Sequence, residues 1–187
     1  MPSFTQLFTL AACALISLSV GVNAQCDGAQ LIKSVPVNAN GATITVNTFS
    51  CAPPKLDNRG AIRRDEVDNV CGELCTNSCN DDAGSLPPVT ADCDTIRNSV
   101  AILESQLNPT YTVSPKSAQS LSFQTCTFNH ANLGNNVQQG CWSSLASVAS
   151  DAGAACFPPV QPFTSEGICT NSASAWAISA AHSNSTT

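Results

Sequence analysis

The chain has 187 residues, of which only 11% are charged, and a formal net charge of −6 at neutral pH. Beyond Arg64, two basic residues (Arg97, Lys116) stand against eleven acidic ones, a net of −9. That field repels a phosphate backbone or an anionic bilayer, so neither nucleic acid nor a membrane is expected as a partner. Aromatics make up 5%, which predicts a lean core that leans on covalent crosslinks.

Leu7 to Val22 is an uncharged, mostly apolar run that would span about 24 Å as a helix, short for a membrane crossing. Val22-Asn23-Ala24 then offers short residues for signal peptidase, so residues 1–24 are read as a signal peptide cut before Gln25. The segment before the run carries no Lys or Arg, and no second long apolar run follows. The expectation is a secreted, extracellular protein.

With Cys13 inside the signal, ten cysteines remain: Cys26, Cys51, Cys71, Cys75, Cys79, Cys93, Cys126, Cys141, Cys156 and Cys169. An even number in an exported chain favours a disulfide framework. Cys71, Cys75 and Cys79 recur every fourth residue, which on a helix would align them along one stripe. A zinc cluster is disfavoured, because the spacing is not C-x2-C and no histidine lies nearby. No metal or cofactor is expected.

Along the chain, Val35 to Val37 and Ala42 to Val46 are β-prone around Asn40-Gly41, a strong hairpin signal. Cys26 and Cys51 bracket this stretch as a unit of its own. Residues 52–70 hold a Pro-Pro, a glycine and eight charges, and read as an exposed linker. Within it lies Arg63-Arg64, a dibasic pair of the kind that secretory processing proteases cut. A cut there leaves even numbers of mature cysteines on both sides, so residues 25–64 are read as a possible propeptide and 65–187 as the main domain.

Downstream, residues 92–107 predict a helix, with Asp92 as N-cap and Ile96, Val100, Leu103 and Leu107 on one face. Strands follow at Thr110 to Val113 and Leu121 to Phe128. A second helix is expected at 141–152, with Trp142, Leu145, Val148 and Ala149 as its stripe. A closing strand covers Ala175 to Ala181, after a loop with Pro158, Pro159 and Pro162. The order predicts an α+β fold: a small disulfide-rich α/β sandwich with a central antiparallel sheet.

Chemical signals are few. There is no G-x-S-x-G elbow, no H-E-x-x-H and no glycine-rich phosphate loop. His130 and His182, with Glu104 and Arg97, could form an acid–base site of the ribonuclease sort, but the favoured reading is two partly exposed strand-end histidines. Asn80 to Gly84 opens like a calcium loop, then fails at Ala83 and is read as a turn. Asn184-Ser185-Thr186 is a glycosylation sequon, poorly placed so near the C-terminus. Trp142 and Trp176 are either core anchors, the favoured role, or stacking platforms for a sugar.

The downstream pattern resembles the secreted basidiomycete (mushroom) glycan-binding proteins of the "Y-three" type. The resemblance runs over residues 70–183. It rests on Val70-Cys71-Gly72 with Cys75 and Cys79, Asp92-Cys93 with Ile96, and Cys126 followed by Phe128 and Asn129. It continues with Cys141-Trp142, Val148-Ala149 before Cys156, Gly167 with Cys169, Trp176, and His182-Ser183. The resemblance implies four disulfides, dimerisation through the sheet and binding of N-acetylhexosamine-containing glycans. Two departures stand out: Ala175 precedes Trp176 where the family tends to place an arginine nearby, and only Phe128 follows Cys126 where the family tends to have an aromatic pair.

The combined expectation is a secreted, non-catalytic, lectin-like protein, a possible homodimer, with Trp176 or Trp142 stacking on a sugar and Asn129, His182 and Ser183 hydrogen-bonding it. The alternatives are a cysteine-rich fungal effector or defence protein acting on another protein, and a secreted hydrolase using His182.

Overall fold

The structure is a computed structural model and describes residues 29–51, 67–80, 86–160 and 164–183. The expected signal peptide, Cys26, the charged linker with Arg63-Arg64, residues 81–84 of the calcium-like turn, Pro162 and the sequon lie outside the described residues.

Among the described residues, ten strands and two helices follow in chain order: β1 (Gln30–Ala39), β2 (Ala42–Ser50), β3 (Asp68–Asn69), β4 (Cys75–Asn80), α1 (Thr90–Gln106), β5 (Thr110–Val113), β6 (Ser117–Phe123), β7 (Cys126–Asn132), β8 (Gln138–Cys141), α2 (Trp142–Cys156), β9 (Glu166–Asn171) and β10 (Trp176–His182). Seven strands form one antiparallel sheet in the order β1-β2-β6-β7-β10-β9-β4, and β3-β8-β5 form a smaller one. The fold is a small, disulfide-rich α+β sandwich.

Register explains why both helices lie on one side. A single ladder row, Val35, Val46, Leu121, Phe128, Ala180, Gly167 and Cys79, crosses all seven strands. The adjacent row is Pro36, Thr45, Ser122, Thr127, Ala181, Glu166 and Asn80. Because side chains alternate between faces, the first row is apolar and meets α1 and α2, while the second, more polar row turns to the far face. The apolar row tapers toward β9, where α2 comes closest. A Cβ on Gly167 would lie 2.3 Å from the Ala152 carbonyl oxygen, so only glycine permits that approach.

The N-terminal hairpin turns at Asn40 and Gly41, both with positive φ, as the sequence predicts. It does not stand apart as a unit of its own, because β2 pairs with β6 over six positions, Thr45–Ser122 to Ser50–Ser117. Val37, Ala39, Ile44 and Val46 belong to the main core with Leu121, Phe128 and Trp142. Burying such aliphatic side chains is worth roughly 1.5–3 kcal/mol each, so the hairpin is part of the core.

Between described residues, four disulfides link Cys71–Cys141, Cys75–Cys169, Cys79–Cys156 and Cys93–Cys126. Three of them fasten β4 and the turn before it. Cys75 and Cys79 lie on a strand rather than a helix; four residues apart, both still face the same side. Thr76, Asn77 and Ser78 are exposed, so this edge strand adds little apolar burial and is held covalently instead.

Two elements depart from expectation. Val89, not Asp92, precedes the first turn of α1, without a side-chain cap. Asp92 reaches out instead: its Oδ2 accepts from Thr125 N (3.1 Å) and Thr125 Oγ1 (2.5 Å), pinning the helix start to the β6–β7 turn. The strand expected over Leu121 to Phe128 breaks at Gln124, which takes a φ of 49° and reverses the chain. No glycine or asparagine marks that turn, so its sequence signal is weak.

Candidate functional site

A groove of about 530 Å³ lies between the hairpin and the C-terminal end of α1. Tyr111 forms its aromatic floor with the buried Trp142 at its border, Thr48 and Lys33 come from the hairpin, and Gln106, Asn108 and Gln119 supply carboxamides. The sequence places these groups there for local reasons. Leu107 ends α1, and Asn108-Pro109 carries the chain into β5, so the amides of Gln106 and Asn108 fall at the mouth. The Gln119 carbonyl accepts from the Thr48 hydroxyl at 3.0 Å, which orients its amide across the β2–β6 seam.

The floor is held from behind. The Tyr111 ring lies 4.2 Å from the Trp142 ring, tilted by 33°, and rests on Gly140, where a Cβ would come within 2.6 Å of the phenol ring. The Trp142 Nε1 donates to the Asn108 carbonyl (3.0 Å), fixing the indole edge against the groove wall. Beneath Tyr111 runs a buried polar chain. Gln138 Nε2 donates to the Ala175 carbonyl (3.0 Å), so its Oε1 faces His130 Nε2 (3.2 Å) and accepts from it. That assigns the proton to Nε2 and leaves Nδ1 to accept from the Tyr111 hydroxyl (3.0 Å). Burial drives the His130 pKa down to about 4, only partly offset by Gln138, so the ring is neutral. Burial also pushes the Tyr111 phenol above its ordinary value. The groups form a rigid support and do not exchange protons near neutral pH.

A second, smaller pocket of about 300 Å³ opens between α1 and the C-terminal end of α2. Phe128, Phe157, Pro159, Val160 and Ala180 make it apolar, with Arg97 at its lining paired to Asp94 at 3.3 Å. It lacks the ring of neutral amides found in the groove.

The structure scatters the residues singled out from sequence. Trp142 is 3% exposed and borders the groove. Trp176 is 1% exposed in the core, packed edge-on to His130, with its Nε1 donating to Glu73 Oε2 at 2.7 Å. Both tryptophans thus take the core-anchor role, and neither indole presents an open stacking face. Asn129 is buried on the far face of the sheet beside Ser179 (3.5 Å). His182 and Ser183 lie at the end of β10, where Ser183 N donates to the Thr125 carbonyl. The pleat and the length of β10 keep these five apart.

The hydrolase constellation is not assembled either. His130 is fully buried at mid-strand, not partly exposed at a strand end, because it pairs with Ile178 at the centre of the sheet. His182 pairs with Cys126, four ladder positions away. Glu104 accepts from Ser143 N at the start of α2 (3.1 Å), and Arg97 pairs with Asp94. Among the described residues, no group of three or more His, Cys, Asp or Glu side chains could hold a metal ion, and no helix is long and apolar enough to cross a membrane.

Tyr111, Gln119, Asn108 and Gln106 were not signalled by sequence. A lone tyrosine on a four-residue strand carries no motif, and the groove depends on β2 meeting β6. Compared with known protein families, curated proteins and solved structures, the chain matches none.

Proposed function

We propose that this chain is a secreted, non-catalytic glycan-binding protein, and that the sugar occupies the groove under the hairpin. The observation that carries the reading is the make-up of that groove: Gln106, Asn108 and Gln119 with Thr48 and Thr110, set around a half-buried tyrosine. Neutral amides and hydroxyls both donate and accept, which suits an uncharged ligand dense in hydroxyl groups. An aromatic ring supplies a face for the C–H side of a pyranose. Sites of this kind combine an apolar body with a few placed polar groups on a preformed frame. The resemblance to mushroom glycan-binding proteins narrows the ligand class to N-acetylhexosamine-containing glycans. Four disulfides fit an oxidising, extracellular setting.

The test is a glycan array with the purified exported protein, followed by titration of the best ligand against Asn108→Ala and Gln119→Ala. Binding to N-acetylhexosamine glycans, weakened at least tenfold in either variant at unchanged thermal stability, is the expected result. An array without signal removes the glycan reading, and binding that ignores both substitutions moves the site elsewhere.

A further inference from the structure

The two walls of the groove under the hairpin differ in the hydrogen bonds they can offer. Lys33, Thr48 and Gln119 stand side by side on one ladder row across β1, β2 and β6. That row lies two residues along from Val35, Val46 and Leu121, so it turns to the same, helix-covered side of the sheet. A bulge in β1 sets Lys33 apart from the residues before it. Ile32 is an extra residue, so Leu31 pairs with Phe49 on the far face, while Lys33 pairs with Thr48 and lines the groove.

The strand wall donates. Lys33 is exposed, carries three N–H donors and makes no ion pair among the described residues. It is the one charged side chain among the described residues that line the groove. The Thr48 hydroxyl gives its hydrogen to Gln119 Oε1 (3.0 Å), which leaves Gln119 Nε2 to donate. The helix wall accepts. Gln106 commits its Nε2 to the Asn38 carbonyl (2.8 Å), leaving its Oε1 as an acceptor. The last carbonyls of α1 add partial negative charge on that side, and no basic side chain in the last turn offsets it. The Glu104 carboxylate, on the same helix, accepts from Ser143 N (3.1 Å) and does not line the groove.

We propose that the sugar bound here is acidic, with its carboxylate seated at Lys33 and Gln119 and its hydroxyls toward Gln106 and Asn108. A carboxylate only accepts hydrogen bonds, so it suits the donating wall and is repelled from the helix end. A neutral sugar would leave the lysine ammonium unmatched. The chain's net charge of −6 does not oppose this. At physiological salt, charges are screened beyond about 8 Å, and the charge lining the groove is positive. A hexuronic acid and a sialic acid present the same group. The inference rests on the glycan reading and makes Lys33 the residue that sets specificity within it. An edge-strand lysine also discourages pairing with a second sheet, but that role is blind to the charge on a sugar.

The test titrates the purified protein with two acidic probes, each set against its neutral counterpart. One arm pairs a hyaluronan tetrasaccharide with its carboxyl-reduced form, the other sialylated with asialo N-acetyllactosamine. At a salt concentration of about 0.01 M, at least one acid should bind more tightly than its counterpart, and the arm showing the preference identifies the sugar. Raising salt to about 0.15 M should shrink that preference. Lys33→Gln should erase it, weakening the acid by about three- to fivefold, the range of an exposed charge pair, with the neutral form unchanged. Lys33→Arg should retain it. Equal binding of acidic and neutral forms in both arms overturns the proposal and leaves the glycan reading standing. So does a preference that survives Lys33→Gln. Binding of no probe, acidic or neutral, removes the glycan reading and the proposal together.

Discussion

The Tyr111 hydroxyl donates to His130 Nδ1 across 3.0 Å, tying the floor of the groove to the middle of the seven-stranded sheet. His130 is fully buried, so its acceptor nitrogen has little recourse to water. Tyr111→Phe keeps the ring against Trp142 and removes this one donor. Leaving a buried acceptor unpaired costs about 1–3 kcal/mol. The urea midpoint should fall accordingly while far-ultraviolet circular dichroism stays unchanged. An unaltered midpoint would show that the bond contributes nothing.

The same histidine sets a pH dependence. Its folded pKa is lowered by burial to about 4, against an ordinary 6.5. Above pH 6.5 the ring is neutral in both states and imposes no penalty. Between pH 6.5 and 4 the unfolded chain takes up a proton that the folded protein refuses, so stability falls with a limiting slope of about 1.4 kcal/mol per pH unit. Chemical denaturation across this window should show the decline, and a ring carbon shift in NMR should place the folded titration near pH 4. A folded His130 that titrates near 6.5 would refute the buried, neutral assignment.

Glu166 acts with the opposite sign. It is fully buried at the start of β9, and burial raises its pKa, with Asn80 and Ser179 offsetting part of the shift. A raised folded pKa means that this group's contribution is fully present below its ordinary value of 4.5 and is lost as pH rises through the folded value. Glu166→Gln is neutral at every pH and retains an oxygen to accept from Asn80, which bonds Glu166 Oε2 at 3.1 Å. The variant should melt at a higher temperature than the parent at pH 7, and the gain should vanish as pH falls below the ordinary value of 4.5. A destabilised variant at pH 7 would mean that the carboxylate is needed in its charged form.

What sequence revealed, and what it hid, follows from how local each signal was. The Asn40-Gly41 turn and the apolar stripe of α1 are set by neighbouring residues and the cysteine parity by a count, so each was legible. That the hairpin joins β6 was not, because pairing across 71 positions, as between Thr48 and Gln119, leaves no local trace. The strand β9 was hidden for another reason: Glu166 and Gly167 are poor strand formers, kept there by a buried polar contact to β4 and by close approach to α2. Both tryptophans drew attention as the largest aromatics in an aromatic-poor chain, yet their indole nitrogens are satisfied inside the protein by Asn108 and Glu73. The aromatic best placed for a ligand is Tyr111, which sequence gave no reason to choose.

Gly140 tests whether the floor of the groove can shift. A Cβ there would meet the Tyr111 ring at 2.6–2.9 Å, and the ring cannot back away because Trp142 lies 4.2 Å from it. Gly140→Ala should therefore push the phenol toward the groove and stretch its bond to His130. Overpacking of this kind costs about 1–3 kcal/mol. Ligand affinity should drop with it, whereas a substitution at Gly153, beside the apolar pocket, should leave affinity untouched. Equal loss at both positions would show that stability rather than groove shape governs binding.

The edge strand β4 supplies the last test, since it is exposed along Thr76, Asn77 and Ser78 and depends on sulfur bridges. Cys75 and Cys169 are 94 residues apart in sequence, but Cys79–Cys156 already ties the same strand to the end of α2. With that bridge in place, the loop closed by Cys75–Cys169 runs through only about 17 residues, so its loss should cost about 3 kcal/mol in the chain-entropy model rather than the nearly 5 expected for an isolated long loop. In the Cys75→Ser, Cys169→Ser double variant, amide exchange should accelerate along β4 and the neighbouring half of β9. The β2–β6 seam, on the other side of the sheet, should keep its protection and its groove. Uniform acceleration across all seven strands would mean that this bridge guards global unfolding and not the edge alone.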